Sequence, residues 1–496
     1  MNIILVAAEL APFAKAGGLA DMTRALPIEW KKFGHNPIIF LPKYKSIDTE
    51  RWGFRKTDKQ IIVPMNYWKE YGTLWEGKMP CCDVPVYLIE NEEYFDRDGI
   101  YGNPNEFEDN WRRFTFFSRA IFDASYALDF TPDVIHAHDY HTALAMTLLK
   151  TQYQYEQRFK YSAGVFTIHN LAYQGKFPPD KILPLINISL DEYYPGSWFE
   201  HHGSVNLMKT GIMFADKITT VSPTYANEIK TEYFGEGLHD VLRYRAADLI
   251  GILNGVYYEE WSPENDKFIK LNYDRHNLAS KKINKLYFLE ERGITGNDHP
   301  DLPLLGMVTR LTEQKGIDIL MQILEPLIAE GKIRFTLLGS GEQKYVDYFN
   351  YLAAKYPGKA LIYIGYNSEL SHQLIAASDF LLMPSRFEPC GLTQMYALRY
   401  GTIPVVRQIG GLADTVHEYQ YDNQEGNGFT FYHYSASDFH YAITRALGIY
   451  QNEGHWDKIR VNAMLADYSA TRTAAEYLKV FNWAIEKVQG VNGIEN

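Results

Sequence analysis

The sequence is poor in the residues from which disulfide-linked and metal-bound folds are built. Among 496 residues there are three cysteines, Cys81, Cys82 and Cys390, and two of them are adjacent. Three cysteines exclude a disulfide framework and a zinc site with four cysteine ligands. We therefore expect a reducing, cytoplasmic compartment, or a plastid-type one if the source is a photosynthetic eukaryote, although no transit-peptide pattern is present.

The chain also lacks a long apolar run and a surplus of positive charge. No stretch approaches the roughly 18 apolar residues of a membrane-spanning helix. The apolar N-terminus has no basic segment before it and contains Glu9, so it predicts a buried strand rather than a signal peptide. The formal net charge of −12 argues against a surface that binds nucleic acid or anionic lipid. We expect neither nucleic acid nor membrane as a partner, and the sequence carries no prediction of oligomeric state.

Eleven short apolar runs predict the strands of an α/β fold. They lie at residues 2–8, 37–42, 133–138, 163–169, 217–222, 249–255, 304–310, 334–341, 361–366, 379–385 and 402–407. The runs are continuous rather than alternating, which is typical of strands buried on both faces of a parallel sheet. Segments with helical periodicity separate them, so doubly wound sheets are expected. Eleven strands are many for one open sheet and favour two Rossmann-like domains.

A connector rich in Pro, Asp and Asn follows the sixth run and indicates a domain boundary. We predict an N-terminal domain over residues 1–250 and a C-terminal domain over residues 251–469. The last segment, residues 470–496, has a helical pattern and is expected to pack back on the first domain. Aromatic residues make up 15% of the chain, and some exposed rings would suit the apolar faces of sugars.

Ligands of doubly wound sheets bind where strands lead into helices, and charged or glycine-rich segments follow several predicted strands. Lys15 precedes Gly17 and Gly18 at a helix start, where amide groups and an ammonium favour an anion. Arg310 and Lys315 share one loop of the second domain and would suit a diphosphate. The alternatives are a tight turn that serves packing alone in the first case and a solvated basic loop in the second.

The segment that follows the strand at 379–385 carries the densest signal. Glu388 lies between Pro384 and a glycine, and residues 391–393 would open the next helix with unbonded amide groups. Such a loop can hold a carboxylate for sugar hydroxyls beside amides for a phosphate. Downstream, Gly410 and Gly411 repeat the Gly-Gly arrangement of the first domain.

Two histidine-rich strand ends in the first domain allow three interpretations. His136, His138 and Asp139 end one strand, and His169 and Asn170 end another. A cluster of His and Asp first suggests a metal, but no closing set of Cys or Glu accompanies it. A polar pocket for a hydroxylated substrate is favoured, and a hydrogen-bonded core histidine is the alternative for each ring.

These motifs together resemble glycosyltransferase family 5, the bacterial glycogen synthases and plant starch synthases. The similarity runs through KAGGLADM, HAHDYHTAL, TIHNLAYQG, GILNG, TRLTEQKGID and PSRFEPCGLTQMYALRYGTIPVVRQIGGLADTV. It covers nearly the whole chain and implies a GT-B fold, in which two Rossmann-like domains face each other across a cleft. It further implies transfer of glucose from ADP-glucose to the non-reducing end of an α-1,4-glucan, with retention of configuration and without a metal or cofactor.

The resemblance also implies roles for individual residues. Arg310 and Lys315 would neutralise the leaving ADP, Glu388 would hold the donor glucose and assist the reaction, and His169 would lie at the donor sugar. These four are the expected catalytic residues. The expected substrate-binding residues are Lys15, Gly17, Gly18, Asp21, Asp139, Asn170, Asn254, Tyr366, Cys390, Gly391, Leu392 and Thr393.

The sequence departs from the family pattern at a few positions. Ala16 follows the lysine where Thr or Ser is frequent, Tyr257 replaces an aspartate, and Ala470 replaces a tryptophan. Tyr396 stands where many other retaining GT-B enzymes have a second glutamate, which favours the glycogen and starch synthase group. Two alternatives stay open: a UDP-glucose-using synthase of the same fold, and a glucan-binding regulator without turnover.

Overall fold

The computed structural model describes residues 1–102, 105–294 and 302–494, with side chains described up to residue 490. The strands, numbered along the chain, are β1 Asn2–Val6, β2 Asn36–Pro42, β3 Arg55–Met65, β4 Trp68–Lys78, β5 Pro85–Glu90, β6 Val134–His138, β7 Ala163–Ile168, β8 Lys176–Phe177, β9 Glu200–His201, β10 Ser204–Asn206, β11 Lys217–Thr220, β12 Leu249–Gly251, β13 Leu304–Leu311, β14 Arg334–Gly341, β15 Ala360–Ile364, β16 Phe380–Met383, β17 Ile403–Arg407 and β18 Phe429–Phe431. The helices are α1 Leu19–Lys32, α2 Glu92–Phe95, α3 Asn110–Ala127, α4 Leu144–Thr151, α5 Pro179–Ile182, α6 Leu207–Phe214, α7 Pro223–Glu228, α8 His239–Tyr244, α9 Ala279–Glu290, α10 Ile317–Ala329, α11 Gln343–Lys355, α12 Ser368–Ala377, α13 Thr393–Arg399, α14 Gly410–Thr415, α15 Ala436–Tyr450, α16 Glu453–Leu465 and α17 Ala470–Ile494. Among these helices none is both long enough and apolar enough to cross a membrane.

The chain divides into two compact units. Unit 1 comprises Met1–Gly255 with Ala470–Asn496, and unit 2 comprises Val256–Ser469. In unit 1 the C-terminal helix α17 packs on α1 around the buried Trp30, whose indole N–H donates to the Ala474 carbonyl at 3.3 Å. The rings of Tyr477 and Phe481 pack against the same indole.

Unit 1 is built on a nine-stranded mixed sheet. Its order is β12-β11-β7-β6-β1-β2-β5-β4-β3, and the seven strands from β12 to β5 are parallel. The strands β4 and β3 continue the sheet in antiparallel pairing. A small antiparallel sheet of order β8-β10-β9 completes the unit.

Unit 2 contains a six-stranded parallel sheet of order β15-β14-β13-β16-β17-β18. The apolar faces of its helices bury a core of aliphatic and aromatic side chains against this sheet. In both units the strand order reverses beside the first strand. In unit 1 the strand β1 lies between β2 and β6, and in unit 2 the strand β13 lies between β14 and β16. Such reversal points are where doubly wound sheets bind ligands.

All eleven predicted strands are present, but most end earlier than the apolar runs do. The run at 2–8 gives a strand over Asn2–Val6, and the run at 249–255 gives Leu249–Gly251, because the apolar residues continue into the loops that follow. The expected parallel strands are present, but the sheet of unit 1 also contains an antiparallel hairpin that the apolar runs did not predict. Its strands β3 and β4 alternate between buried and exposed residues, and a search for continuous apolar runs passes over them.

Candidate active site

In unit 2 the reversal point of the sheet brings a lysine and a glutamate together. Lys315 lies in the loop after β13, and Glu388 lies in the loop after the neighbouring strand β16. The Lys315 ammonium donates to Glu388 Oε2 at 2.6 Å, and the Ser385 hydroxyl donates to the same oxygen at 3.0 Å. Glu388 is only 7% exposed, so this ion pair is largely shielded from water.

Close backbone approach is what brings these two loops together. Gly316 has a φ of 71°, and a Cβ atom there would lie 1.9 Å from the Pro384 carbonyl oxygen. Beside it, the Arg386 amide donates to the Gln314 carbonyl at 2.8 Å. A side chain at position 316 would force the loops apart, so glycine is required for the ion pair to form.

Two of the residues expected at the donor nucleotide are open to solvent. Arg310 lies near the carboxyl end of β13 and is exposed, and its side chain forms no hydrogen bond or ion pair with any described residue. Tyr366 follows β15 and is 80% exposed. The structure thus joins Lys315 to Glu388 but leaves Arg310 and Tyr366 without side-chain partners in the described ranges.

The loop after Glu388 presents unbonded amide groups. Gly391 has a φ of 75°, and α13 begins two residues later at Thr393. Within residues 1–102, 105–294 and 302–494, no acceptor lies within hydrogen-bond range of the amides of residues 391–393. Cys390 is buried beneath them at 4% exposure, so its side chain points away from solvent.

The second Gly-Gly turn supports this loop from behind. The Gly411 amide donates to the carbonyl oxygens of Glu388 and Pro389, both at 3.2 Å. A Cβ at Gly410 would lie 2.0 Å from the Glu388 carbonyl oxygen. The two glycines therefore allow α14 to pack directly on the backbone of the glutamate loop.

In unit 1 the glycine-rich turn after β1 is closed by a carboxylate of the chain itself. Glu9 Oε2 accepts hydrogen bonds from the amides of Ala16 at 2.7 Å and Gly17 at 2.8 Å. Glu9 Oε1 accepts from the Tyr101 hydroxyl at 2.6 Å. The prediction that the amide of Gly17 is open to an anion was wrong, because the buried Glu9 carboxylate already occupies it.

Sequence reasoning did not assign Glu9 or Tyr101 to the site. The available signal for Glu9 was a single carboxylate inside an otherwise apolar run before the turn. Lys15 lies on the outside of the turn, where its ammonium pairs with Asp21 at 2.7 Å while its side chain stays 39% exposed. Gly18 is the residue before the first turn of α1 and has an ordinary helical φ of −68°.

The histidine cluster separates into two core residues and one residue nearer the surface. His136 Nε2 lies 2.6 Å from the Thr167 hydroxyl, and His138 Nδ1 lies 2.9 Å from His169 Nε2. His136 and His138 are fully buried, and burial holds the pKa of each imidazole well below its usual range. His169 as a whole residue is partly exposed, but its imidazole is surrounded by protein. This burial disfavours the charged ring and lowers its pKa to about 3. At neutral pH His169 is therefore an uncharged imidazole.

Asp139 holds this strand end together at a cost in backbone energy. Its backbone has a φ of 55° and a ψ of 179°, a conformation that residues other than glycine rarely adopt. A residue held in such a conformation costs about 1–3 kcal/mol of folding free energy. Its Oδ1 accepts from the amides of His169 at 2.8 Å and Asn170 at 3.4 Å. Burial raises the pKa of Asp139 to about 7. A strained, buried carboxyl that titrates near neutrality is typical of a functional site.

Two asparagines complete the predicted set in unit 1. Asn170 Oδ1 accepts from the Ala172 amide at 3.1 Å and so stabilises its own turn. Asn254 follows β12 and is 5% exposed, yet its Oδ1 has no hydrogen-bond partner in the part of the chain that the structure describes. A buried polar atom without a partner marks a place where a ligand group or water completes the site.

Two doubly wound units, each with polar groups collected at the carboxyl ends of its strands, define a GT-B glycosyltransferase. Comparison with known proteins supports this class. Residues 2–244 match the family model described as starch synthase catalytic domain, and residues 294–458 match the model of glycosyl transferases group 1. The solved catalytic domain of starch synthase IV from Arabidopsis thaliana, bound to ADP and acarbose, superposes with a TM-score of 0.89 at 32% identity. That match covers 98% of this chain and 99% of the other.

Curated relatives identify the family within this class. Glycogen synthase from Bacillus subtilis (strain 168) is 43% identical over 97% of this chain and 98% of its own length. Glycogen synthase from Geobacillus thermodenitrificans (strain NG80-2) is 42% identical over 98% of both chains. The chain belongs to the family of bacterial glycogen synthases and starch synthases, and the resemblance stated from the sequence motifs is confirmed.

Proposed function

We propose that this glycosyltransferase moves glucose from ADP-glucose to the non-reducing end of an α-1,4-glucan with retention of configuration. The relatives named glycogen synthase and the starch synthase that binds ADP and acarbose support these substrates. Unit 2 would bind the nucleotide sugar, and unit 1 would bind the glucan. The scarcity of cysteine favours a cytoplasmic-type compartment, and the acidic net charge favours neither nucleic acid nor membrane as a partner.

The arrangement around Glu388 carries the proposal. Its Oε2 is held by Lys315 and Ser385, whereas its Oε1 accepts no hydrogen bond from any described residue. One oxygen thus fixes the carboxylate, and the other is left to accept from a hydroxyl of the donor glucose. The negative charge would then stabilise the positive charge that develops on the sugar as the anomeric bond weakens.

The leaving ADP gains negative charge as the same bond breaks. The unbonded amides of residues 391–393 are donors held in place by their loop before the reaction begins, and the exposed guanidinium of Arg310 would add a cation. Preorganised donors of this kind stabilise a transition state by about 3 kcal/mol each, because they need no further reorganisation. In unit 1, Lys15, whose ammonium pairs with Asp21, is a proposed phosphate-binding cation. The exposed ring of Tyr366 would stack on the adenine.

The polar residues of unit 1 suit hydroxylated rings. The uncharged imidazole of His169 can donate or accept a hydrogen bond, and its backbone amide is fixed by Asp139. Asn254 offers a buried acceptor oxygen without a partner among the described residues. These groups bind through hydrogen bonds rather than charge, which matches the chemistry of a neutral sugar.

A direct assay tests the proposal. Labelled glucose is offered from ADP-glucose and from UDP-glucose, side by side, to glycogen as the acceptor. We expect transfer chiefly from ADP-glucose, with α-linked product that an α-specific exoglucosidase releases again. Arg310→Ala should lower kcat/KM by about 10²–10³-fold, while Arg275→Ala, which removes an exposed arginine of unit 2 outside these loops, should leave it unchanged.

The outcomes separate the parts of the proposal. Absence of transfer from either nucleotide sugar by the folded protein would refute the synthase function and favour a glucan-binding regulator. Preferred use of UDP-glucose would retain the transferase and refute the proposed donor. An equal loss of activity in the Arg275 variant would show that the assay does not report on the proposed phosphate contact.

A further inference from the structure

A buried glutamine beneath the glutamate loop has no role in the function proposed above. Gln394 is the second residue of α13 and is completely buried. Its Nε2 donates to the carbonyl oxygens of Cys390 and Gly391, both at 3.0 Å, and approaches the Thr415 hydroxyl oxygen at 3.2 Å. Its Oε1 has no hydrogen-bond partner in the described residues. The side chain therefore acts through its donor group alone.

We propose that Gln394 is a positioning residue that orients the peptide groups of residues 390–392 so that their N–H bonds point toward the phosphates of the donor nucleotide. This inference rests on the proposed function, because it takes the nucleotide to bind at this loop. It concerns how the loop is held, whereas the proposed function concerns what the loop binds.

The geometry of a trans peptide makes the argument specific. The C=O and N–H bonds of one peptide group point in opposite directions. Two carbonyls are drawn inward by the Gln394 amide, one on Cys390 and one on Gly391. The N–H groups of Gly391 and Leu392 must then point outward, which is where the described residues provide no acceptor for them.

The same arrangement explains the glycine in this turn. A Cβ at position 391 would lie 2.5 Å from Gln394 Oε1, and the φ of 75° disfavours other residues in any case. The glycine therefore permits the glutamine to reach both carbonyls. The two hydrogen bonds from Gln394 hold this loop in one conformation when no ligand is bound. Without them, a loop with two unbonded amides would adopt several conformations.

A purely structural role for Gln394 would predict a different result from a positioning role. A structural residue, when replaced, lowers stability and leaves the ligand affinity of the folded molecules unchanged. A positioning residue, when replaced, weakens ADP binding by more than its effect on stability explains. The chain offers a matched control in Asn427, a buried amide of the same unit whose Nδ2 donates to the Thr415 carbonyl at 3.0 Å.

The test compares Gln394→Met, Gln394→Glu and Asn427→Asp in the full-length chain. The affinity for ADP is measured by calorimetry, and Tm is measured by thermal melting. The values of kcat and KM are measured with ADP-glucose as the donor. Methionine keeps the length of the side chain without a donor, and glutamate replaces the donor by an acceptor that faces two carbonyls. We expect both Gln394 variants to weaken ADP binding by about 10–100-fold, as for the loss of one or two hydrogen bonds to a charged group. The Asn427 variant should lose stability but bind ADP as the wild type does.

One further measurement does not depend on whether the variants fold. In the wild type, hydrogen exchange at the amides of Gly391 and Leu392 should slow when ADP is added. Unchanged exchange at those two amides with ADP bound, or wild-type ADP affinity in a folded Gln394 variant, would overturn the inference. Failure of the wild-type protein to bind ADP would instead refute the proposed function.

Discussion

Replacement of Glu388 by glutamine separates its electrostatic role in the fold from its role in the reaction. The variant keeps the size of the side chain and removes its charge, which leaves the Lys315 ammonium without its carboxylate. At a separation of 2.6 Å and an effective dielectric constant of about 20, the pair interacts by roughly 6 kcal/mol before desolvation is subtracted. Loss of one partner from a pair as buried as this one typically costs about 3–5 kcal/mol.

This cost should be visible in thermal unfolding. For a unit of the size of Val256–Ser469, each kcal/mol shifts Tm by about 2–4 °C, so Glu388→Gln should lower it by about 6–20 °C. A low Tm would therefore arise whether the carboxylate is catalytic or only a partner for Lys315. The double variant Lys315→Met with Glu388→Gln removes the unpaired cation and should recover part of the lost stability.

Turnover then decides between the two roles. If Glu388 contacts the donor glucose, kcat falls by orders of magnitude in the folded single variant. The double variant also lacks Lys315, an expected catalytic residue, and therefore reports on Tm alone. The control is Asp379→Asn, which breaks the buried ion pair of Asp379 with Lys285 in the same unit. It should lower Tm to a similar extent and leave kcat nearly unchanged in the folded fraction. Near-normal kcat in Glu388→Gln would refute the catalytic role, and an unchanged Tm would refute the argument from the ion pair.

Three further predictions concern other parts of the site. Tyr366→Ala should weaken ADP binding about tenfold through lost stacking without lowering Tm, because the ring is 80% exposed; titration calorimetry and melting curves check this. The raised pKa of Asp139, about 7, means that folding favours the protonated acid. The contribution of Asp139 to stability is therefore fully present below about pH 4 and falls by about 1.4 kcal/mol per pH unit up to pH 7. In Asp139→Asn that part of the decline should disappear from urea midpoints measured between pH 4.5 and 7. Gly410→Ala should unfold at lower temperature, since its Cβ would meet the Glu388 carbonyl at 2.0 Å, whereas Gly17→Ala should not, since its Cβ would meet nothing within 4 Å.

The parts of the fold that could be predicted from sequence are those with strong local signals. Eleven strands of the parallel sheets were found from continuous apolar runs, because burial on both faces leaves no room for polar residues. The strand β5, which pairs in parallel with β2 and has the sequence PVYLIE, was missed although its residues are largely apolar. The hairpin of β3 and β4 was missed, since one face of it meets solvent and its apolar residues alternate. The three-residue strand β18 is too short for any pattern to emerge.

The candidate site was predictable as a set of residues but not as a set of contacts. Arg310, Lys315 and Glu388 are recognisable from their motifs, yet the pairing of Lys315 with Glu388 depends on β13 and β16 lying side by side. That neighbourhood follows from the order of strands in the sheet rather than from either motif. Glu9 was passed over for a similar reason, because its partners in the turn lie seven and eight residues further along the chain.

The sequence GGLAD occurs twice, at residues 17–21 and 410–414, and the two copies show why a shared motif does not imply a shared role. In the first copy the Gly17 amide is bound by the side-chain carboxylate of Glu9, and the space beside its Cα is open. In the second the Gly411 amide donates to the main-chain carbonyl of Glu388, and a Cβ at Gly410, the position equivalent to Gly17, would meet that same carbonyl oxygen at 2.0 Å. The first glycine pair thus leaves room beside Lys15, where a ligand can approach, while the second uses the same freedom to seat the glutamate loop on a helix.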